Sequence, residues 1–252
     1  MDFSTPHTQT HKQLLQEVYG CRKCAEEGRS FARAFDEARP GFFYKFPPTI
    51  GRAGTVQLLF VGYNPRRTRN LAIHDWAMRN LENFHRLSEN TNHLGDRYIG
   101  GSPMAQDREG HYDLHAEVVQ RIFARPFEEV AAVTEMYLCA SRSGRELNTR
   151  TSPCARRFLV RTIMATDPLF IITLGLDIPK FFARFVRGIR ADVLHLPFPS
   201  SRSAPPVTMR AAIDWAVSSI AGLRSGIPAR PREWHLERKD SDSTFPSTVM
   251  RY

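Results

Sequence analysis

Cysteine is scarce in this 252-residue chain: only Cys21, Cys24, Cys139 and Cys154 occur. In a reducing cytoplasm so few thiols argue against a disulfide framework. Long apolar runs are also missing. Mean hydropathy is −0.38, and no stretch approaches the roughly 20 apolar residues of a membrane span. Residues Met1 to Lys12 are polar and rich in His and Thr, without the apolar stretch of a secretory signal. No Gly-rich loop ends in Gly-Lys-Ser/Thr, so nucleotide hydrolysis has no motif to rest on. No internal repeat is visible. These absences lead to the expectation of a cytoplasmic protein with no membrane partner, a monomer.

Acidic residues fall short of basic ones, 26 against 35, which leaves a net charge of +9 and a pI near 9.8. Residues Ser225 to Tyr252 hold five Lys/Arg and four Asp/Glu, so almost all the excess belongs to the preceding chain. A basic folded surface attracts polyanions by neutralising phosphates and releasing counterions.

Four short runs dominated by Val, Ile, Leu and Phe read as buried strands: Val56–Val61, Val130–Leu138, Phe170–Leu174 and Val193–Leu196. Helical spacing appears over Gln9–Tyr19, Asp113–Phe123, Cys154–Ala165, Pro179–Val186 and Thr208–Leu223. The polar stretch Leu71–Asp107 accommodates a further helix over about Asp75–Leu87. Alternating strands and helices predict an α/β fold with a four-stranded, mainly parallel sheet, whose ligands sit at the strands' carboxyl ends. Residues 1–224 form the single expected domain. The Pro-, Ser- and charge-rich tail 225–252 is expected to be disordered.

Cys21 and Cys24 form a C-x-x-C pair after the first helix. Cys139 follows a strand, and Cys154 falls in the first turn of a helix, with Ser152 as a plausible N-cap and Pro153 at N1. A helix N-terminus favours thiolate, the ligand form. Four such thiolates suit either zinc or an iron–sulfur cluster. His111 and His115, like His7 and His11, are spaced i,i+4, but surface histidines are the expectation there.

The first strand runs into Gly62–Tyr63–Asn64–Pro65–Arg66, where an amide at Asn64 can orient a water molecule. The last ends in His195–Leu196–Pro197–Phe198–Pro199–Ser200–Ser201–Arg202, whose hydroxyls and Arg suit a phosphate-gripping loop. His195 itself reads as a core or surface residue.

The order C-x-x-C, Gly-x-x-Pro, two cysteines around a basic segment, Pro168 to Gly175, then Pro–Phe–Pro–Ser resembles the uracil-DNA glycosylase superfamily, especially its iron–sulfur families 4 and 5. The resemblance runs from about Cys21 to Leu223. It implies a three-layer α/β/α sandwich, a 4Fe–4S cluster on Cys21, Cys24, Cys139 and Cys154, and DNA as partner. It implies excision of uracil or a related base, flipped out of the stack. Asn64 and Tyr63 are the catalytic candidates, Asn64 placing the water. Tyr63, Trp76, Phe84 and Tyr98 are candidates to stack on the base. Glu135 aligns with the residue that reads the base edge. Arg66, Arg67, Arg142, Arg145, Arg150, Ser200 and Arg202 are the backbone contacts. Three positions depart from the pattern: Arg66 replaces a glycine, Glu135 an asparagine, and Phe198 the histidine that steadies the departing base. Phe offers no hydrogen bond there. These departures also fit a non-catalytic DNA-binding relative. A zinc-clamped protein with no nucleic-acid role is the third reading.

Overall fold

The computed structural model describes residues 13–14, 16–18, 21, 23, 50–51, 56–63, 111–125, 127–138, 154–175, 178–197, 206–230, 232–238, 241–247 and 249–252. Four parallel strands form its centre: β2 (Leu58–Gly62), β3 (Ala131–Glu135), β4 (Phe170–Leu174) and β5 (Asp192–Leu196). They stand in the order β3-β2-β4-β5. Every residue of β2, β3 and β4 is buried, whichever face it points to. That is why their sequences are mostly apolar rather than alternating, with Thr134, Glu135 and Thr173 as the buried polar residues.

Two short antiparallel strands extend the sheet, so that among the described residues it has six strands where four were expected. β1 (Ile50–Gly51) pairs with β3, and β8 (Val249–Met250) pairs with β5. Each has two residues, too few to show any periodicity.

The helices are α1 (His111–Phe123), the single turn α2 (Phe127–Val130), α3 (Val160–Thr166), α4 (Ile178–Phe185) and α5 (Pro206–Arg224). The first turn leading into α3 is π-helical over Ala155–Leu159. α3 stops at Asp167, which adopts the left-handed conformation (φ 39°) and donates its N–H to Ile163 O at 2.9 Å. Asp is one of the few non-glycine residues that tolerates this geometry, and Pro168 follows where the helix cannot continue. Phe158, Leu159 and Ile163 turn into the core from this segment, and Ile178, Phe181 and Phe182 do so from α4. Each such side chain contributes roughly 1.5–3 kcal/mol by leaving water. Residues 13, 14 and 16–18 are helical, with Leu14 and Val18 buried.

The tail 225–252, expected to be disordered, includes described strands. Residues 232–238 and 241–247 pair as an antiparallel hairpin, β6 (Arg232–Arg238) with β7 (Ser241–Ser247). Upstream, the Trp215 indole donates to Arg230 O at 2.8 Å. Downstream, β8 docks on the sheet and the Tyr252 hydroxyl lies 2.8 Å from His195 Nε2. Backbone pairing and these anchors offset the ordering entropy that the tail's composition alone does not. Among the described residues no helix is long and apolar enough to cross a membrane. The expected helix over Asp75–Leu87 lies outside the described residues.

Candidate functional site

The strand order places a crevice. From β2 the chain passes to β3 on one side, and from β4 to β5 on the other. Connections that diverge in this way leave a gap outside the carboxyl ends of β2 and β4, the usual ligand position in open α/β sheets. Gly62 and Tyr63 stand at that end of β2, beside Glu135 at the end of β3. Gly175, whose N–H meets Leu196 O at 3.0 Å, closes β4.

Gly62 and Glu135 are register partners. The Glu135 carboxylate lies over the place where a side chain at position 62 would start. A Cβ there would overlap Glu135 Oε2 and come within 2.8 Å of its Cδ. Glycine at 62 is therefore a seat for the carboxylate. Glu135 is only 5% exposed. Burying a carboxylate costs several kcal/mol, which makes this position expensive for a merely structural residue. One residue further, the backbone ladder continues: Met136 N–H reaches Gly62 O at 2.8 Å, and Tyr137 N–H reaches Tyr63 O at 3.1 Å. The Tyr63 and Tyr137 rings meet edge to face at 5.7 Å, so Tyr63 is fixed by both backbone and ring. It is half-buried, as a residue lining a pocket mouth would be.

The cysteines divide between described and undescribed residues. Cys154 is buried, and its Sγ accepts the Leu138 N–H at 3.3 Å. Leu138 immediately precedes Cys139 in the sequence. A backbone N–H aimed at sulfur stabilises the thiolate form that a metal requires. Cys21 packs at the edge of the core, and its N–H bonds Val18 O at 3.2 Å. The two segments that carry Cys21 and Cys154 are clamped together. Glu17, one helical turn before Cys21, receives a two-pronged bond from Arg161 at 2.6 and 2.9 Å, with Arg157 at 3.8 Å. Arg157 is one turn beyond Cys154. The Arg161 bond holds the Glu17 carboxyl below its ordinary value. The described cysteines thus suit a metal in thiol chemistry and in the pairing of their segments. Among the described residues no group of three or more His, Cys, Asp or Glu converges. Cys24 and Cys139 lie outside them, as do Asn64, Arg66, Arg67, Trp76, Phe84, Tyr98, Arg142, Arg145, Arg150, Phe198, Ser200 and Arg202.

Two histidines also call for comment. His115, expected on the surface, is 1% exposed, and its ring lies 4.3 Å from that of Phe60. The α1 register that buries Val118 and Val119 carries His115 inward with them. His195, on β5, is 2% exposed and sits between Thr173 Oγ1 at 2.6 Å and the Tyr252 hydroxyl at 2.8 Å. Tyr252 donates to Met250 Sδ at 3.3 Å, so its oxygen accepts from Nε2–H and Thr173 donates to Nδ1. Burial lowers the imidazole from 6.5 to about 4, so it is neutral at physiological pH. An open groove of about 330 Å³ between Ile163–Pro168 and Arg187–Ala191 adjoins the amino ends of β4 and β5, away from the crevice.

No family model matches this chain, and no curated protein matches it.

Proposed function

We propose that the chain is a DNA glycosylase-like protein with a three-layer α/β/α architecture. It takes a deaminated or damaged base out of the DNA stack and hydrolyses its N-glycosidic bond. The observation that carries this reading is the Glu135 carboxylate, buried on Gly62 at the switch point of a parallel sheet and beside the Tyr63–Tyr137 pair. A carboxylate accepts hydrogen bonds and reads a base that offers N–H groups. Tyr63 lines the mouth, where a flipped base needs an aromatic or apolar wall. Asn64, the next residue, orients a water molecule. The water oxygen bonds to C1′ and the C1′–N bond breaks. The base departs with the bonding pair and takes up a proton, leaving an abasic sugar. Arg66, Arg142, Arg145, Arg150, Ser200 and Arg202 hold the phosphates.

Cys21, Cys24, Cys139 and Cys154 would hold a 4Fe–4S cluster, with zinc as the alternative. The Leu138 N–H on Cys154 Sγ and the Glu17–Arg161 clamp support a shared metal there. When bound, the cluster supplies a structural brace. This chain's own residues do the rest: the clamp orients the segment after Cys154, and the sheet register fixes Glu135 and Tyr63.

The second reading is a DNA-binding relative without turnover, and Phe198 favours it. Loss of a hydrogen-bond donor to the leaving group costs on the order of 3 kcal/mol of transition-state stabilisation. One preparation decides between the readings. Protein purified without oxygen is assayed for iron and zinc, then offered a panel of lesion-bearing duplexes and single strands. The glycosylase reading expects iron, abasic product from at least one lesion, and loss of that product in Asn64→Ala. Salt-sensitive DNA binding with no product from any lesion establishes the second reading instead. Zinc without iron, and no DNA retained at low salt, overturns both.

A further inference from the structure

We propose that the outer surface shared by α3 and α4 is a second nucleic-acid contact, separate from the loops at the strand ends, which grips a phosphate backbone through Arg156 and Arg184. The stretch 154–191 carries seven Lys/Arg and two Asp/Glu, of which Asp167 is the one described acid. Two of these arginines share one aromatic ring. The Arg156 guanidinium carbon is 5.2 Å from the centroid of Phe185, and that of Arg184 is 5.1 Å from the same centroid. Both arginines are exposed, and Phe185 is half-buried beneath them. They lie on different elements, Arg156 in the π-helical turn and Arg184 on α4, so the pairing is a product of the fold. Lys180 adds a further exposed cation one turn before Arg184.

Among the described residues neither Arg156 nor Arg184 belongs to an ion pair. The other helical surface behaves differently. Arg121 meets Asp214 at 2.7 Å, and Arg210 meets Glu117 at 2.7 Å, across α1 and α5. The two charges that share Phe185 are no farther apart than about 10 Å, one Debye length at 0.1 M salt, so their repulsion is felt. An anion between them relieves it. Stacking on the ring also holds each guanidinium in place, which reduces the freedom lost when a phosphate takes its planar fork. Guanidinium groups around a half-exposed ring match a backbone with bases beside it, as in single-strand grooves. A membrane surface would instead call for an apolar edge free to insert. Here α4 commits Phe181 and Phe182 to the core, and the exposed large apolar residues of the stretch are only Met164 and Leu169, too few for a broad inserting edge.

The choice of nucleic acid as partner rests on the function proposed above, but the surface is testable without turnover. Lesion-free labelled single-stranded and duplex oligonucleotides are titrated with the full chain at salt from about 50 to 200 mM. Arg156→Ser/Arg184→Ser is compared with wild type and with Arg121→Ser/Arg210→Ser. The expected result is binding weakened on the order of tenfold, with the slope of log K against log salt reduced by about 1.4 to 1.8 for two lost phosphates. The α1–α5 variant keeps the wild-type slope. Arg184→Gln, at an exposed position, loses about one phosphate's worth of slope and keeps the test alive if the double variant misfolds. Base release from lesion-bearing oligonucleotides at saturating protein is measured in parallel. Slope changes without any base release leave this surface standing and remove the catalytic reading. An unchanged slope in folded Arg156→Ser/Arg184→Ser or in Arg184→Gln overturns the proposal. So does wild-type binding to phosphatidylserine vesicles that these variants lose while oligonucleotide binding stays intact.

Discussion

Two cross-strand pairs near the carboxyl ends of the sheet make an instructive contrast. Thr173 on β4 stands opposite His195 on β5, and Gly62 on β2 stands opposite Glu135 on β3. Each pair buries one ionisable side chain in a mostly apolar sheet. Around His195 the circuit is closed: Thr173 takes one ring nitrogen, and Tyr252, just beyond β8, takes the other. Around Glu135 the opposite residue is a glycine, and the carboxylate occupies the room a side chain would fill. The first arrangement locks two strands and a terminus together. The second keeps a buried carboxyl group at the carboxyl ends of β2 and β3. The first is set by hydrogen bonds between side chains, the second by the room that a glycine leaves.

The strongest way to break this contrast is Gly62→Ala. The added methyl takes the carboxylate's seat, and a displaced, buried charge costs roughly 3–5 kcal/mol. Urea unfolding is expected to show that loss. In an Glu135→Ala background the same substitution is expected to cost little, because nothing then occupies the space. A full penalty in that background would mean that the glycine serves the backbone instead of the carboxylate.

The His195 side of the contrast carries a pH signature. Its folded-state value, about 4, lies below the ordinary 6.5, so between the two the unfolded chain binds the proton more readily. Stability from this group is whole above about pH 6.5, falls as the pH drops toward 4, and then levels. The full difference is roughly 3 kcal/mol. Other carboxylates titrate in the same window, so the measurement is the difference between wild type and His195→Gln, from urea unfolding at about pH 7 and pH 4.5. The variant is expected to lose less stability on acidification. Parallel curves would place the imidazole in contact with water.

Smaller changes sharpen the picture. Tyr252→Phe removes the hydroxyl that faces Nε2 and is expected to cost about 1–2 kcal/mol, while leaving base release untouched. Denaturant midpoints and a single-turnover assay check both halves. Glu17→Gln is expected to cost under about 1 kcal/mol, since the pair is partly exposed. If the cysteines hold the proposed cluster, the larger effect falls there: iron bound to the variant is then expected to pass to a chelator faster than from wild type. Equal rates would separate the clamp from the metal.

The central strands were legible because parallel strands buried on both faces are mostly apolar along their length, as Phe170–Leu174 is with Thr173 its one polar residue. Their ends shifted by a residue or two, and the Val130–Leu138 run proved to be the last residue of a helical turn, a five-residue strand and a loop. β1 and β8 were out of reach, being defined only by their partners. The tail's hairpin left a faint signal, Trp234 and Leu236 alternating with Glu233, His235 and Glu237, which its prolines and charges outweighed. At the site, the sequence pointed to Tyr63, Glu135, Cys21 and Cys154. The seat of Glu135 on Gly62 depends on strand register, 73 positions apart in sequence. The inward turn of His115 depends on which face of α1 meets the sheet. The joining of Arg156 and Arg184 by Phe185 depends on how two helices meet. None of these is a local property of the chain.

The claim on which the functional account turns is that the Glu135 carboxylate reads a base. It is tested most directly by measuring base release from a lesion panel under single turnover with wild type and Glu135→Gln. An amide donates as well as accepts. The account therefore predicts release by the wild type and a changed order of lesion preference in the variant, by on the order of tenfold for the most affected base. Release of every lesion in the same order by both proteins, or by neither, would contradict it.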